Sequence, residues 1–187
     1  MTTIQEFHQI DGRISSLYHA AALKMGLSDS EFRILSTLAV NAPGYLQSAL
    51  REATGMGRST VNSALKQLER EGILALSPGS GRHTCVSLTA QGHRLADRTV
   101  CRLIRLEDRI YAGWTSEEQA LLLRLNRDFT EKLEAIVASL QWGIPRSKKG
   151  HGRRSLSCPF LCLLTARSRR PWGCRQPETR RCRCAWW

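Results

Sequence analysis

The fold of this protein is decided by one stretch of its sequence, RSTVNSALKQLEREGILAL, which occupies residues 58–76. Apolar residues recur at steps of three and four over residues 58–71, which predicts a helix with one buried face. Gly72 follows directly and is suited to end the helix, because a positive φ costs glycine little. The residues on the predicted buried face are Val61, Ala64, Leu65 and Leu68.

The residues on both sides of this helix predict a winged helix-turn-helix. A short helix is expected over residues 46–53, and Gly55-Met56-Gly57 forms a tight break before the helix at 58–71. Two short helices joined by a turn that contains glycine are typical of a helix-turn-helix. Two β-prone runs follow, at residues 73–76 and 84–88, around a loop rich in Pro and Gly, and they predict a β-hairpin that forms the wing.

Amphipathic helices are predicted at both ends of this lobe. Residues 4–25 carry apolar side chains at helical spacing. Ser28 and Glu31 form a capping box that begins the next helix, and residues 41–44 end it. Thr89 is expected to cap one helix that runs to about residue 111.

A second capping box, Thr115 with Glu118, begins a last helix whose apolar residues extend to Leu140. The predicted fold class is therefore mainly α with a small β-hairpin wing. Because large apolar stripes rarely stay exposed on monomers, we expect the outer helices to pack against each other and against a second subunit.

Charge and cysteine divide the chain at Gly143-Ile144-Pro145. The 187 residues contain 28 Lys plus Arg and 16 Asp plus Glu, a net charge of +12. Residues 1–142 hold 16 basic and 15 acidic residues, whereas residues 143–187 hold 12 basic residues, one acid and five of the seven cysteines. We predict a domain over residues 1–142, followed by a basic Cys/Arg/Trp-rich tail that is disordered or is a frame-shifted or read-through extension.

The ordered set of motifs resembles the MarR family of bacterial transcription regulators. The stretches that carry the resemblance are Arg58–Val61, Leu65, Leu68–Leu74, Arg82 and Val86–Gly92, the last containing the pattern SLTxxG. The resemblance implies a cytoplasmic homodimer that binds a palindromic operator in double-stranded DNA, often as a repressor. It also implies release by a small aromatic or phenolic effector, or by an oxidant.

This resemblance divides the first 142 residues into a DNA-binding lobe, at about 28–90, and dimerisation helices, at about 3–26 and 91–141. An effector is expected to bind between the lobe and the dimerisation helices. Small polar residues early in a recognition helix suit base edges and phosphates, and an Arg at a wing tip suits a narrow minor groove. The predicted DNA-binding residues are Arg58, Ser59, Thr60, Asn62, Ser63, Lys66 and Arg82.

Three residues depart from the family pattern, and they leave a second hypothesis open. Leu46 stands where a polar helix cap is usual, and Arg51 stands where a small residue lets the two helices approach. Ser80 replaces an acid that would brace Arg82. Arg51 can either extend outward to a phosphate or separate the helix pair. The alternative is therefore a winged-helix module that binds protein and has lost DNA binding.

Other classes of function find little support in the sequence. No apolar run reaches the ~18 to 20 residues of a membrane-spanning helix, and the first residues are not typical of a secretory signal. The five His residues are scattered, and no motif of a metalloprotease, serine hydrolase or phosphate-binding loop occurs. We therefore expect no enzymatic activity, no cofactor, no metal and no membrane partner.

The cysteines leave a third hypothesis open. Cys85 lies on a predicted wing strand and Cys101 on the helix after it, where Arg98 and Arg102 favour a reactive thiolate. A buried structural role is the preferred interpretation of both residues. The tail cysteines do not match common zinc spacings, but a metal-responsive or redox-responsive regulator that uses them remains an alternative.

Overall fold

The computed structural model of the chain describes residues 2–79, 81 and 83–140. Predictions for Ser80, for Arg82 and for residues 143–187 lie outside these described residues. No helix in the described part is long and apolar enough to cross a membrane. The elements are α1 (Thr3–Lys24), α2 (Asp29–Val40), β1 (Tyr45–Leu46), α3 (Gln47–Thr54), α4 (Arg58–Arg70), β2 (Leu74–Pro78), β3 (Thr84–Leu88), α5 (Ala90–Arg98), α6 (Val100–Ala112) and α7 (Ser116–Ser139).

The predicted caps begin and end the helices. The Ser28 hydroxyl accepts a hydrogen bond from the Glu31 N–H at 3.3 Å, and the Glu31 carboxylate accepts one from the Ser28 N–H at 2.8 Å. Thr115 and Glu118 form the same reciprocal pair at the start of α7. Gly72 has a φ of 71°, as its position after α4 requires. The mainly α fold with a small wing is thus confirmed.

Of the described residues, those up to Leu106 form one compact unit and those from Glu107 onward form a second. The first unit holds the hydrophobic core, in which the middle of α2 is buried on nearly all sides among α1, α3, α4, α5 and β3. Burial of these aliphatic side chains is the main source of stability and fixes how α4 is held. The largest fully buried apolar side chains include Ile34, Leu35, Leu50, Val61, Leu65, Leu68, Val86 and Val100.

The wing has one strand more than the sequence predicts. Strands β2 and β3 form the expected antiparallel hairpin, with Leu76 opposite Val86. The short strand β1 pairs with the other edge of β3, so that Tyr45 lies opposite Val86. The prediction that Leu46 begins a helix is therefore wrong by one residue, because its backbone is extended and pairs with Cys85.

The SLTxxG pattern forms a tight junction between the wing and α5. The Thr89 hydroxyl accepts a hydrogen bond from the Gly92 N–H at 3.0 Å and donates one to the Gly72 carbonyl at 2.6 Å. The Thr89 N–H donates to the Ile73 carbonyl at 3.0 Å. Gly92 lies directly against that carbonyl, and a Cβ atom at this position would be 2.1 Å from the Ile73 oxygen. The motif thus fixes the start of α5 against the base of the hairpin.

The single helix expected from Thr89 to about Tyr111 is wrong, because the chain breaks at Thr99 into α5 and α6. Thr99 has φ −115° and ψ −95°, outside the helical region, and its hydroxyl donates to the Leu95 carbonyl at 2.6 Å. A threonine hydroxyl that bonds a carbonyl one turn back competes with the regular backbone ladder and bends helices.

The second unit is dominated by α7, whose apolar side chains are half exposed. Phe129 is 37% exposed and Val137 is 60% exposed, and none of the residues of α7 is buried. At the end of α6, the rings of Tyr111 and Trp114 pack with centroids 4.9 Å apart. Burial raises the pKa of the Tyr111 phenol above its ordinary value.

Candidate nucleic-acid interface

Helix α4 presents one apolar and one polar face, as its spacing predicts. The residues that the sequence assigns to the inner face, Val61, Ala64, Leu65 and Leu68, are all buried. On the other face Ser59, Ser63 and Lys66 are exposed and Asn62 is half-buried. The buried face holds the helix against the core, so the polar face is displayed on a rigid support.

The amino end of α4 is open to solvent. Gly57 is the N-cap residue and contributes no side chain that could cap the free N–H groups. Arg58, Ser59 and Thr60 form the first turn, and all three are exposed. Free backbone N–H groups beside a guanidinium and two hydroxyl groups form a surface that favours a phosphate.

An open groove of about 490 Å³ lies between α3, α4 and the hairpin. Three of its lining residues, Arg51, Arg58 and Lys66, are basic, and none of the described lining residues is acidic. Its apolar lining, Val61, Leu65 and Leu76, continues into the core. The polar lining residues are Gln47, Ser48, Arg51, Arg58, Asn62, Lys66, His83 and Thr84.

The structure clarifies two of the departures from the family pattern. Leu46 is the N-cap of α3 and makes no side-chain capping bond, so this helix begins without the usual polar cap. Arg51 is exposed and lines the groove together with Arg58 and Lys66. Its guanidinium therefore belongs to the same basic surface as the first turn of α4.

Four polar residues of the groove were missed by the sequence-based prediction: Gln47, Ser48, His83 and Thr84. Gln47 donates a hydrogen bond from Nε2 to Asn62 Oδ1 at 2.7 Å, which connects the starts of α3 and α4. The spacing within α4 predicts Asn62 but not this partner, because Gln47 is fifteen residues away in sequence. His83 lies on the loop before β3 and was considered only as one of several scattered histidines.

The predicted DNA-binding residues of α4 thus lie on one continuous surface. Arg58, Asn62 and Lys66 line the groove, while Ser59, Thr60 and Ser63 are exposed on the same helix. The predicted role of Arg82 at the wing tip lies outside the described residues. The DNA contacts of these side chains stay predictions.

No group of three His, Cys, Asp or Glu side chains suited to a metal occurs within residues 2–140, positions 80 and 82 excepted. Cys85 and Cys101 are both fully buried. The burial agrees with the interpretation of both as structural residues. The tail cysteines of the metal-responsive or redox-responsive hypothesis lie outside the described residues.

Residues 25–83 match the model of the MarR family. Among solved structures, the chain is similar to NMB1585, a MarR family regulator from Neisseria meningitidis, with a TM-score of 0.66, 19% identity, and coverage of 74% of this chain and 98% of that one. It is also similar to the PcaV transcriptional regulator from Streptomyces coelicolor in complex with its natural ligand (TM-score 0.52, 23% identity, 70% and 96% coverage).

A third similar structure is a MarR family transcriptional regulator from Silicibacter pomeroyi (TM-score 0.52, 24% identity, 74% and 90% coverage). No protein of curated function matches this chain in sequence. The family match confirms the predicted resemblance to the MarR family over residues 25–83, and these structures confirm the winged-helix fold.

Proposed function

We propose that this protein is a sequence-specific DNA-binding transcription regulator, because residues 25–83 match the model of the MarR family and lie in a winged helix-turn-helix. The single observation that carries the proposal is the exposed polar face of α4 beside a basic groove. In the proposed complex, α4 enters the major groove of double-stranded DNA and the wing lies over the adjacent minor groove. A repressor of its target genes is the form of regulation that we favour. Its location is then the bacterial cytoplasm, where the chromosome is.

The positions of the charges support this proposal better than their number does. Residues 1–142 are nearly neutral, with 16 basic and 15 acidic residues. Arg51, Arg58 and Lys66 nevertheless converge on one groove whose described lining contains no acid. A local basic surface on a nearly neutral domain steers the phosphate backbone to one place and orients the domain on it.

The proposed roles follow position on the helix. Arg58, Ser59 and Thr60 contact phosphate at the amino end of α4, where the free N–H groups favour an anion. Asn62, Ser63 and Lys66 lie further along the polar face and reach base edges or the phosphates that flank them. Arg82 inserts into the minor groove from the wing.

We propose a homodimer on a palindromic operator, with half-sites about 10 bp apart. The support is the apolar surface left on both terminal helices. On α1, Ile10 is 55% exposed and Leu17 is 63% exposed, and α7 carries several more half-exposed apolar side chains. Surfaces of this kind on long helices mark association sites, and a second copy of the chain covers them without any additional partner.

A small-molecule effector is a further part of the proposal. The similar PcaV structure was determined in complex with its natural ligand. A small aromatic or phenolic ligand would release DNA if it binds more tightly to a form of the dimer whose lobes are wrongly spaced for the operator.

The proposal is tested by titrating the full-length protein with DNA from upstream of its own gene at several salt concentrations. Asn62→Ala is expected to weaken operator binding about tenfold or more, because a well-placed amide contact to a base is worth about 1–3 kcal/mol. Lys66→Ala is expected to weaken binding and, if Lys66 contacts a phosphate, to reduce the slope of log K against log salt by about 1.

Lys24→Ala is the matched control for Lys66, because it removes the same charge at the end of α1, away from the groove. Unchanged operator affinity in both α4 variants would contradict the assignment of the base-contacting face. A wild-type dimer that binds no DNA at low salt would contradict the proposal as a whole and favour the protein-interaction hypothesis.

A further inference from the structure

The hydrogen bond between Gln47 and Asn62 connects the two helices of the helix-turn-helix at the point where they face the groove. Gln47 Nε2 lies 2.7 Å from Asn62 Oδ1, and both side chains are half-buried. A half-buried bond between neutral amides is shielded from competition by water on one side. It therefore limits the orientations that the Asn62 amide can adopt.

Both ends of this bond rest on rigid supports. Gln47 follows strand β1, where Tyr45 is buried and its backbone pairs with β3. The Gly44 N–H donates to the Ser87 hydroxyl at 2.9 Å, which fixes the start of β1 to the same strand. Asn62 follows Val61, which is buried in the core on the opposite face of α4. The distance between the two backbones is thus set by the fold and not by the DNA.

From this geometry we propose that Gln47 is a specificity-determining positioning residue, which holds the Asn62 amide in one orientation for contact with a base. The inference rests on the proposed DNA-binding function and deepens it. With Oδ1 directed to Gln47, Asn62 presents its two Nδ2 hydrogens to the DNA. A donor pair favours a base edge that presents acceptors in the major groove, of which guanine, with N7 and O6, offers two.

The orientation of the Asn62 amide matters because its nitrogen can donate to a base edge that presents acceptors and its oxygen can accept from an edge that presents a donor. A bidentate contact to adenine needs both the amide oxygen and the amide nitrogen directed at the base. The bond to Gln47 occupies one lone pair of that oxygen and turns it toward α3. Oδ1 keeps a second lone pair, but in the proposed complex the donor side of the amide faces the DNA, so the expected preference is for acceptor-rich edges over adenine.

The proposal predicts a change of base preference as well as a loss of affinity. The full-length wild type, Gln47→Ala, Asn62→Ala and the double variant are each used to select sites from a pool of random DNA duplexes. Affinities are then measured on the selected site and on a duplex without it. Gln47→Ala and Asn62→Ala should lose preference at the same base-pair position, with a loss on the selected site of about tenfold or more for Asn62→Ala and about fivefold or more for Gln47→Ala.

Two further results are expected from these variants. The double variant should bind about as weakly as Asn62→Ala alone, because residues that act as one unit are not additive. Binding to the duplex without the site should stay within about twofold of wild type, since backbone attraction supplies that affinity. Gln119→Ala is the matched control, because Gln119 is also a half-buried amide with such a hydrogen bond, from Nε2 to the Tyr111 carbonyl at 2.8 Å, and it does not line the groove.

Gln47→Glu distinguishes a positioning role from a purely structural one, because only a positioning role predicts a change in the base that is selected. A carboxylate at position 47 can only accept, so it should bond Asn62 Nδ2 and turn Oδ1 toward the DNA. The selected base should then shift toward an edge that presents a donor, such as adenine or cytosine, at reduced overall affinity because of the added negative charge.

The outcomes separate the inference from the function on which it rests. Equal losses on all sequences, or additive effects of the Gln47 and Asn62 variants, would overturn the positioning role while leaving DNA binding intact. A wild-type protein that selects no sequence would overturn the proposed function, and the positioning role with it.

Discussion

Gly92 lies so close to the wing that alanine at this position is expected to destabilise the protein strongly. A Cβ atom there would be 2.1 Å from the Ile73 carbonyl oxygen and 3.2 Å from Leu88 Cδ2. The first distance is far inside the ~3.5 Å at which non-bonded atoms attract most strongly. Because the obstacle is backbone, it cannot rotate away as a flexible side chain would, so α5 and the hairpin must separate.

The loss in the free energy of unfolding can be estimated from the contacts that are disturbed when α5 and the hairpin separate. The Thr89 N–H donates to the Ile73 carbonyl at 3.0 Å, and the Thr89 hydroxyl donates to the Gly72 carbonyl at 2.6 Å, with the Ile73 carbonyl as a second, longer partner at 3.2 Å. Each bond contributes about 1 kcal/mol, and overpacking costs about 1–3 kcal/mol. The better helix propensity of alanine offsets about 1 kcal/mol. The net loss is about 2–4 kcal/mol, which lowers Tm by about 6–12 °C for a domain of this size.

Thermal unfolding followed by circular dichroism measures this loss, with all proteins at one concentration because self-association shifts Tm. The matched control is Gly12→Ala. Gly12 lies on an exposed side of α1, and a Cβ atom there would have nothing within 4 Å. This change should stabilise the helix by about 0.5–1 kcal/mol. If Gly92→Ala melted within about 2 °C of wild type, the junction would be more compliant than its distances imply.

Two other predictions concern association and alkaline pH. Leu125 is 50% exposed on α7 and should be needed for the dimer. In sedimentation, Leu125→Asp is expected to be a monomer with its helix content unchanged. The control Arg127→Asp, on another side of α7, should remain dimeric. Burial, and secondarily Glu52, raises the pKa of the Tyr45 phenol above 10.0 in the folded protein. Since the unfolded phenol ionises near pH ~10, its contribution to stability is complete below that pH and is lost above it. In urea titrations above pH ~10, wild type should therefore lose up to about 1.4 kcal/mol per pH unit relative to Tyr45→Phe, and parallel pH curves would contradict this.

Local signals allowed most of the helical fold to be predicted from the sequence. Ser28 and Thr115 each precede an acid at the third position, and the capping boxes that they form need no tertiary contact. The buried face of α4 was equally predictable, because Val61, Leu65 and Leu68 repeat at the helical period. The same period identified the exposed residues on the opposite face.

The errors arose where partners distant in sequence determine the local structure. Strand β1 has only two residues and exists because β3, some forty residues later, offers a free edge. The break at Thr99 lies within a stretch of good helical periodicity, and no glycine or proline marks it. Gln47 was missed for the same reason as β1, since its role depends on a partner on another helix.

The pairing of β1 with β3 has a thermodynamic consequence for how such a lobe would bind. It ties the start of α3 to the same strand that forms the wing, while α4 is joined to β2 through Gly72 and Ile73. The surfaces proposed for the major and minor grooves are therefore pre-organised relative to each other before DNA arrives. Little conformational entropy is lost on binding, and more of the contact energy is available as affinity. In the proposed dimer, regulation would then act on the spacing of two stiff lobes and not on the shape of either one.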